Sequence, residues 1–224
     1  MEALKLWREL IWERPDHQGA RDALRRLLDC WETTQAVAEV LEPIYRREGM
    51  WEDLAVVLEH RLQAARDDDG AARIHESLAD LYDARLDDEA RAFDHAARAM
   101  EVHGVRTEPL RRLERMARNL ERWNDLADVL ERSLPPADPA EPRIACLVRI
   151  ARLHEEHTKK ADRALRAWQE ILELAPENEA ALAGLRQHHR TSEADPASRV
   201  EVMTRLARVT TQQGRQVELW REVA

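Results

Sequence analysis

A chain of 224 residues with a net charge of −9, 44% hydrophobic and only 4% aromatic side chains can bury a sizeable core. That charge argues against phosphate-backbone binding as its main task and leaves a local basic stripe open. Ala, Leu, Glu and Arg dominate and Gly numbers 6, a composition that favours helices over sheets. No apolar run reaches the length of a membrane span, and the opening MEALKLWREL lacks the layout of a signal peptide. The expectation is a cytoplasmic, all-α protein with no membrane contact. Its positive charge is nearly all arginine, as in a bacterial protein from a GC-rich genome. Cys30 and Cys146 suit no metal or disulfide framework and are expected as buried free thiols.

In chain order, apolar residues at three- and four-residue spacing mark one helix after another. LWREL at residues 6–10 reads as part of a helix. A single helix is expected over residues 34–48, with Pro43 kinking it or splitting it at Glu42. Trp51, Leu54, Leu58 and Leu62 form the next stripe, and Ile74, Leu78, Leu81 and Tyr82 the one after. Gly49, Gly70, Gly104 and Gly214 fall where helices should stop; Pro15, Pro109, Pro176 and Pro196 fall where turns or first helical turns should lie. Asp125 and Asp162 are placed in first turns, where a carboxylate complements exposed amides. About twelve or thirteen helices are expected.

The chain repeats itself. Residues 41–62 laid over residues 113–134 without a gap match at 11 of 22 positions, among them Trp51/Trp123, Asp53/Asp125, Leu58/Leu130 and Glu59/Glu131. The register continues downstream, with Leu110 and Leu113 facing Leu182 and Leu185. The period is therefore about 72 residues, seen at 38–109 and 110–181, and a period of this size signals stacked helix pairs. RLARV at residues 205–209 matches RIARL at residues 149–153 at a spacing of 56, so one helix is expected to be missing near residues 190–198. PPADPAEP at residues 135–142 is too proline-rich to be helical and is expected as a stiff joint.

Ala151, Ala164, Trp168, Ile171 and Pro176, together with Tyr45, Gly49 and Trp51, resemble the landmarks of the tetratricopeptide repeat family. His154 stands where a tyrosine is typical of that family. The resemblance covers most of the chain. It implies one α-solenoid over residues 1–224, a right-handed superhelix of antiparallel helix pairs whose first helices line a concave groove that binds peptides or proteins. Trp7 and Trp220, in LWREL and LWREV, resemble Trp168 in cut-off second helices. Nothing there resembles a polar cap, so the chain is expected to be a piece of a longer array, open to end-to-end self-association.

Other chemistry has weaker support. His154 and His157 in HEEH stand at i and i+3, a metal-capable spacing with no third ligand to name; His188 and His189 are adjacent and diverge. Asp67, Asp68, Asp69 and Gly70 resemble part of a calcium loop, but the AARIHE after them lacks alternating oxygen donors, so a helix start is the better reading. Trp51, Trp123 and Trp168 lie in apolar register and are expected in the core. There is no nucleophile elbow, phosphate-cradling loop or catalytic triad pattern. Neither an enzyme nor a cofactor is expected.

With Thr107 opening a repeat, the family's register puts Glu108, Arg111, Arg115, Arg118 and Asn119 on the groove, three arginines at i, i+4 and i+7. The same register places Arg46, Arg47, Arg73, Arg149 and Arg152 on first helices. Guanidinium groups grip carboxylates in bidentate fashion, so an acidic protein or peptide segment is the expected ligand. The competing reading of these arginines is a solvated face of helix salt bridges. The function expected is a non-catalytic interaction scaffold. Its alternatives are a spacer within a longer array, an RNA-binding helical repeat, for which the net charge makes nucleic acid a poor partner, and a metal enzyme at His154 and His157.

Overall fold

The computed structural model describes residues 2–14, 17–191 and 196–223. Among them the chain is entirely helical, with thirteen α-helices and one π-helical turn and no strand. It divides into two compact units, Met1–Leu120 and Glu121–Ala224.

The first unit runs α1 (Glu2–Glu13), α2 (Gln18–Leu28), α3 (Trp31–Glu48), α4 (Trp51–Gln63), α5 (Asp68–Ala84), α6 (Glu89–His103) and α7 (Thr107–Asn119). Short connections bring each helix into contact with the one before it, and α5 with α6 is the most extensive pair. The core includes Leu58 on α4, Leu78 on α5 and Leu113 on α7 from the stripes and register read in the sequence, and adds Leu41, Ile44 and Tyr45 on α3 and Phe93 and Met100 on α6; all are at most 2% exposed. Each such side chain contributes about 1.5–3 kcal/mol by leaving water.

Local chemistry sets the ends. Gly49 closes α3 with φ 69°, a left-handed conformation that costs glycine nothing. Asp67 caps α5 by accepting from the Gly70 amide at 2.6 Å, and Asp88 caps α6 by accepting from Arg91 at 3.0 Å. The aspartate run is thus a helix start. Gly70 belongs to the first turn of α5 and Gly214 to that of α13, so neither stops a helix; the Asp67 cap upstream explains Gly70. Pro15 lies outside the described residues. Pro43 does not split α3, which is continuous. The buried row Leu41, Ile44 and Tyr45 flanks it, and packing of that size offsets the roughly 3 kcal/mol that an interior proline costs.

The second unit runs α8 (Trp123–Arg132), α9 (Ala140–Leu153), the π-helix π1 (His154–Thr158), α10 (Ala161–Leu174), α11 (Glu179–Thr191), α12 (Pro196–Val209) and α13 (Gln213–Val223). Its core holds Leu126, Leu130, Leu147, Ile150, Trp168, Ile171, Leu182 and Leu206. Of the proline-rich stretch, Ala140, Glu141 and Pro142 belong to the first turn of α9, where a missing amide proton breaks no helical bond. The helix order continues past residue 190 without the expected omission. Trp51, Asp68, Glu89 and Thr107 open α4 to α7, and Trp123, Ala140, Ala161 and Glu179 open α8 to α11, each one full period later. Pro196 and Gln213, which open α12 and α13, then fall just one position beyond a full period from Trp123 and Ala140. The match at spacing 56 pairs α9 with α12, two helices of different place in the period. Residues 192–195, within the expected joint, lie outside the described residues.

Cys146 is buried, and burial pushes its thiol up to about 11. Cys30 is exposed, because it precedes α3 in a connection instead of sitting on an apolar stripe.

Candidate functional site

The two units carry the same polar motif one period apart. In the first, the Tyr82 hydroxyl donates to Glu59 Oε1 at 2.6 Å and accepts from Arg91 Nη1 at 3.1 Å. Burial, then the hydrogen bond to Glu59, raises the Tyr82 pKa. At the equivalent positions of the second, His154 Nε2 meets Glu131 Oε1 at 3.0 Å and Arg163 donates to Glu131 Oε2 at 3.2 Å. Histidine replaces the tyrosine and keeps the contact. Likewise Arg85 lies 4.8 Å above the Trp51 ring, and His157 stacks on Trp123 at 3.8 Å. Trp51 and Trp123 are therefore half-buried under a plate, while Trp168, 3% exposed, is the true core residue of the three.

This also disposes of the HEEH pairing. His154 is fully buried against Glu131 and Thr158, whereas His157 turns to Trp123, so the two imidazoles do not converge. Among the described residues no three His, Cys, Asp or Glu side chains gather in a way that could hold a metal ion, and no helix is long and apolar enough to cross a membrane.

The candidate arginines fall into three groups. Arg46 and Arg47 close α3 and pair with Glu42 at 3.2 Å and Glu48 at 2.9 Å; Arg73 on α5 pairs with Asp69 at 2.9 Å. All three are largely exposed, and such intrahelical pairs contribute a few tenths of a kcal/mol. Arg149 and Arg152 are exposed on α9 of the second unit. The third group is the α7 row. Arg111 pairs with Glu108 at 3.0 Å, Arg118 is exposed, and Asn119 donates to both Glu89 oxygens at 3.0 and 3.1 Å. Arg115 Nη2 donates to the two Asp83 oxygens at 2.8 and 2.9 Å while Nη1 donates to Glu89 at 2.7 Å. The Asp83 hydrogen bond raises the Arg115 pKa further.

Sequence reasoning passed over Arg112, which turns to α5. Its Nε donates to Asp83 at 3.0 Å, Nη1 to Asp80, and Nη2 to the Ala79 carbonyl at 2.7 Å. Arg112 and Arg115 stand at i and i+3, as do Asp80 and Asp83, so a matched spacing of opposite charges was the available signal. A second polar cluster ties the end of α6 to α5: His103 meets Glu76 at 3.0 Å and Asp69 at 3.1 Å, and Arg106 pairs with Glu76. Burial works to raise the Glu76 pKa, but the His103 and Arg106 hydrogen bonds bring it below its ordinary value.

Between these two clusters lies a pocket of about 360 Å³ bounded by α5, α6 and α7. Ala96, Ala99 and Met100 line its apolar side, and the Arg106–Glu76 and Arg112–Asp80 pairs stand at its charged side. Also between α5 and α6, His75 Nδ1 and His95 Nδ1 are 2.8 Å apart, so one donates and the other accepts. The His95 ring also stacks on Tyr82 at 5.6 Å.

No family model matches this sequence, and no curated protein matches it. Among solved structures it is similar to BtubC (BKLC) from P. vanneervenii, at 16% identity and a TM-score of 0.32, covering 99% of this chain and 83% of that one. It is also similar to the TPR2AB-domain:pHSP90-complex of yeast Sti1, at 10% identity and a TM-score of 0.35, covering 99% and 95%.

Proposed function

We propose that this chain is a non-catalytic protein-interaction scaffold of tetratricopeptide-like helix pairs that binds an extended, acidic peptide or protein segment along a groove. The α7 row carries the reading. Arg111, Arg115 and Arg118 share one helix face, and Asp83 and Glu89 hold Arg115 in place, so a ligand carboxylate would meet the exposed guanidinium groups of Arg111 and Arg118 beside an already ordered neighbour. Side chains fixed on packed helices lose little freedom on binding, which is how a rigid repeat gains affinity. Arg46, Arg47, Arg73, Asn119, Arg149 and Arg152 are the further contacts this reading nominates.

A structural reading of the same row has one observation in its favour: Asp83 already takes both Arg112 and Arg115, which ties α7 to α5. Fluorescence anisotropy with labelled Asp/Glu-rich decapeptides separates the two. The variant is Arg111→Glu with Arg118→Glu, leaving Arg115 to hold α5 and α6. A scaffold reading expects saturable binding by the parent protein, falling with salt, and at least tenfold weaker binding by the variant at unchanged circular dichroism. Equal binding by both proteins would leave the row as a clamp.

A further inference from the structure

The three helices around the 360 Å³ pocket begin one full period before α9, α10 and α11, so the second unit shows what the same place looks like when filled. There, the position of Ala96 is Trp168, and that of Arg112 is Gly184. The Trp168 indole is 3% exposed and lies so close on α11 that a Cβ at Gly184 would clash with its Cε2, Nε1 and Cδ2 atoms. Its Nε1 donates to Glu155 at 2.8 Å. In the first unit the indole is gone, the glycine has become an arginine whose side chain leaves toward Asp80 and Asp83, and an open pocket remains.

The exchange is reciprocal. Where the first unit places His75 and His95, the second has Leu147 and Ala167, and those two residues line a pocket of about 340 Å³. Each unit therefore fills with its own ring the place the other leaves open.

We propose that the pocket between α5, α6 and α7 is an acceptor site for a tryptophan side chain of a partner protein. Three features select that side chain. The apolar side offers Ala96, Ala99 and Met100, and methionine sulfur is a good neighbour for an aromatic ring. The flanking charges are already neutralised in the pairs Arg106–Glu76 and Arg112–Asp80, so an uncharged ring enters without displacing an ion. Asp80, which lines the pocket, accepts from Arg112, and a carboxylate has about four lone-pair sites, which leaves room for an indole N–H. Trp is also one of the residues enriched at binding hot spots, which sit in well-packed pockets. The site deepens the scaffold reading and rests on it for its biological partner, but its chemistry is separate from the arginine row.

The test uses the whole chain labelled at Ala and Met methyl groups and titrated with N-acetyl-tryptophanamide, an uncharged probe that reads the pocket alone. Saturable shifts are expected at Ala96, Ala99 and Met100, with Kd on the order of 1 mM for so small a ligand. N-acetyl-phenylalaninamide, which has no N–H to offer from its ring, is expected to bind several-fold more weakly. Ala96→Trp with Arg112→Gly, which copies the second unit's pair, is expected to abolish the shifts, and Ala96→Leu to reduce them should the double variant not fold. Absence of saturable shifts at those methyls overturns the proposal, as do equal shifts in a folded plugged variant. Free indole binding more tightly than the amide would also overturn it, by assigning the pocket to a small molecule.

Discussion

At the residue scale, Gly184 has the closest approach among the glycines, set by the seat of Trp168 on it. A methyl group there must displace an indole that is buried and hydrogen-bonded to Glu155, so it cannot be accommodated by rotating a free end. Gly184→Ala is expected to destabilise by about 2 kcal/mol, the cost of overpacking, despite the better helix propensity of alanine. Denaturant titration reads this as a lower midpoint at unchanged slope, and a midpoint equal to that of the parent would count against the packing described. Tyr82→Phe should cost about 1–2 kcal/mol by leaving Glu59 without its donor, and the same titration measures it. Of these sites the sequence marked Trp168, through the apolar register of ALRAWQEILELAP. Gly184 could not be read: a glycine inside a helix reveals a close approach only once its neighbour is known. The α7 arginines were legible as a row, but the carboxylates that hold Arg115 come from α5 and α6, far away in sequence, and single-helix spacing does not reach them.

At the element scale, α5 and α6 form the most extensive helix pair, and their contact contains the imidazole pair His75 and His95. Burial, then His95, then Arg98 lower the His75 pKa from 6.5 to about 4, and burial lowers that of His95 too. The folded state thus favours neutral imidazole. The unfolded chain binds a proton near pH 6.5 that the folded chain refuses until about pH 4, so the contribution to stability is complete above about pH 6.5 and is lost as the pH falls toward 4. Urea titrations between pH 7.5 and 4 are expected to show this loss, and His75→Leu, the residue the second unit carries, is expected to shrink it. If parent and variant lost stability in parallel, the imidazole pair would not be its source. Helix positions were well legible because apolar stripes at three- and four-residue spacing put one face of a helix in the core and suit no strand. Ends were less so: Gly70 looks like a stop until Asp67 is seen capping the helix it belongs to, and Pro43 looks like a break until the burial of Leu41, Ile44 and Tyr45 is weighed against it.

At the scale of the whole molecule, the period survives in the helix starts through α11 and within one position through α13, although identities fade after residue 185. The misleading match at spacing 56 shows why: α9 and α12 share an apolar stripe because both bury one face, and amphipathic helices of equal length resemble each other whatever their place in a repeat. The division after Leu120 was not legible, since it falls inside the repeated cassette, between the stripe at Leu113 and Met116 and the one at Leu126 and Leu130. Each unit has its own buried set: Tyr45, Phe93 and Met100 in the first, Trp168, Ile171 and Leu206 in the second. In a repeat array stability is a sum of local terms, so a segment with a closed core of its own should fold by itself. Residues 1–120 and 121–224 expressed separately are therefore each expected to keep the helical circular dichroism of the parent per residue and to melt cooperatively. A fragment that is unfolded at about 25 °C would show that its buried set is too small to offset chain entropy, and that the two units are stable only as one chain.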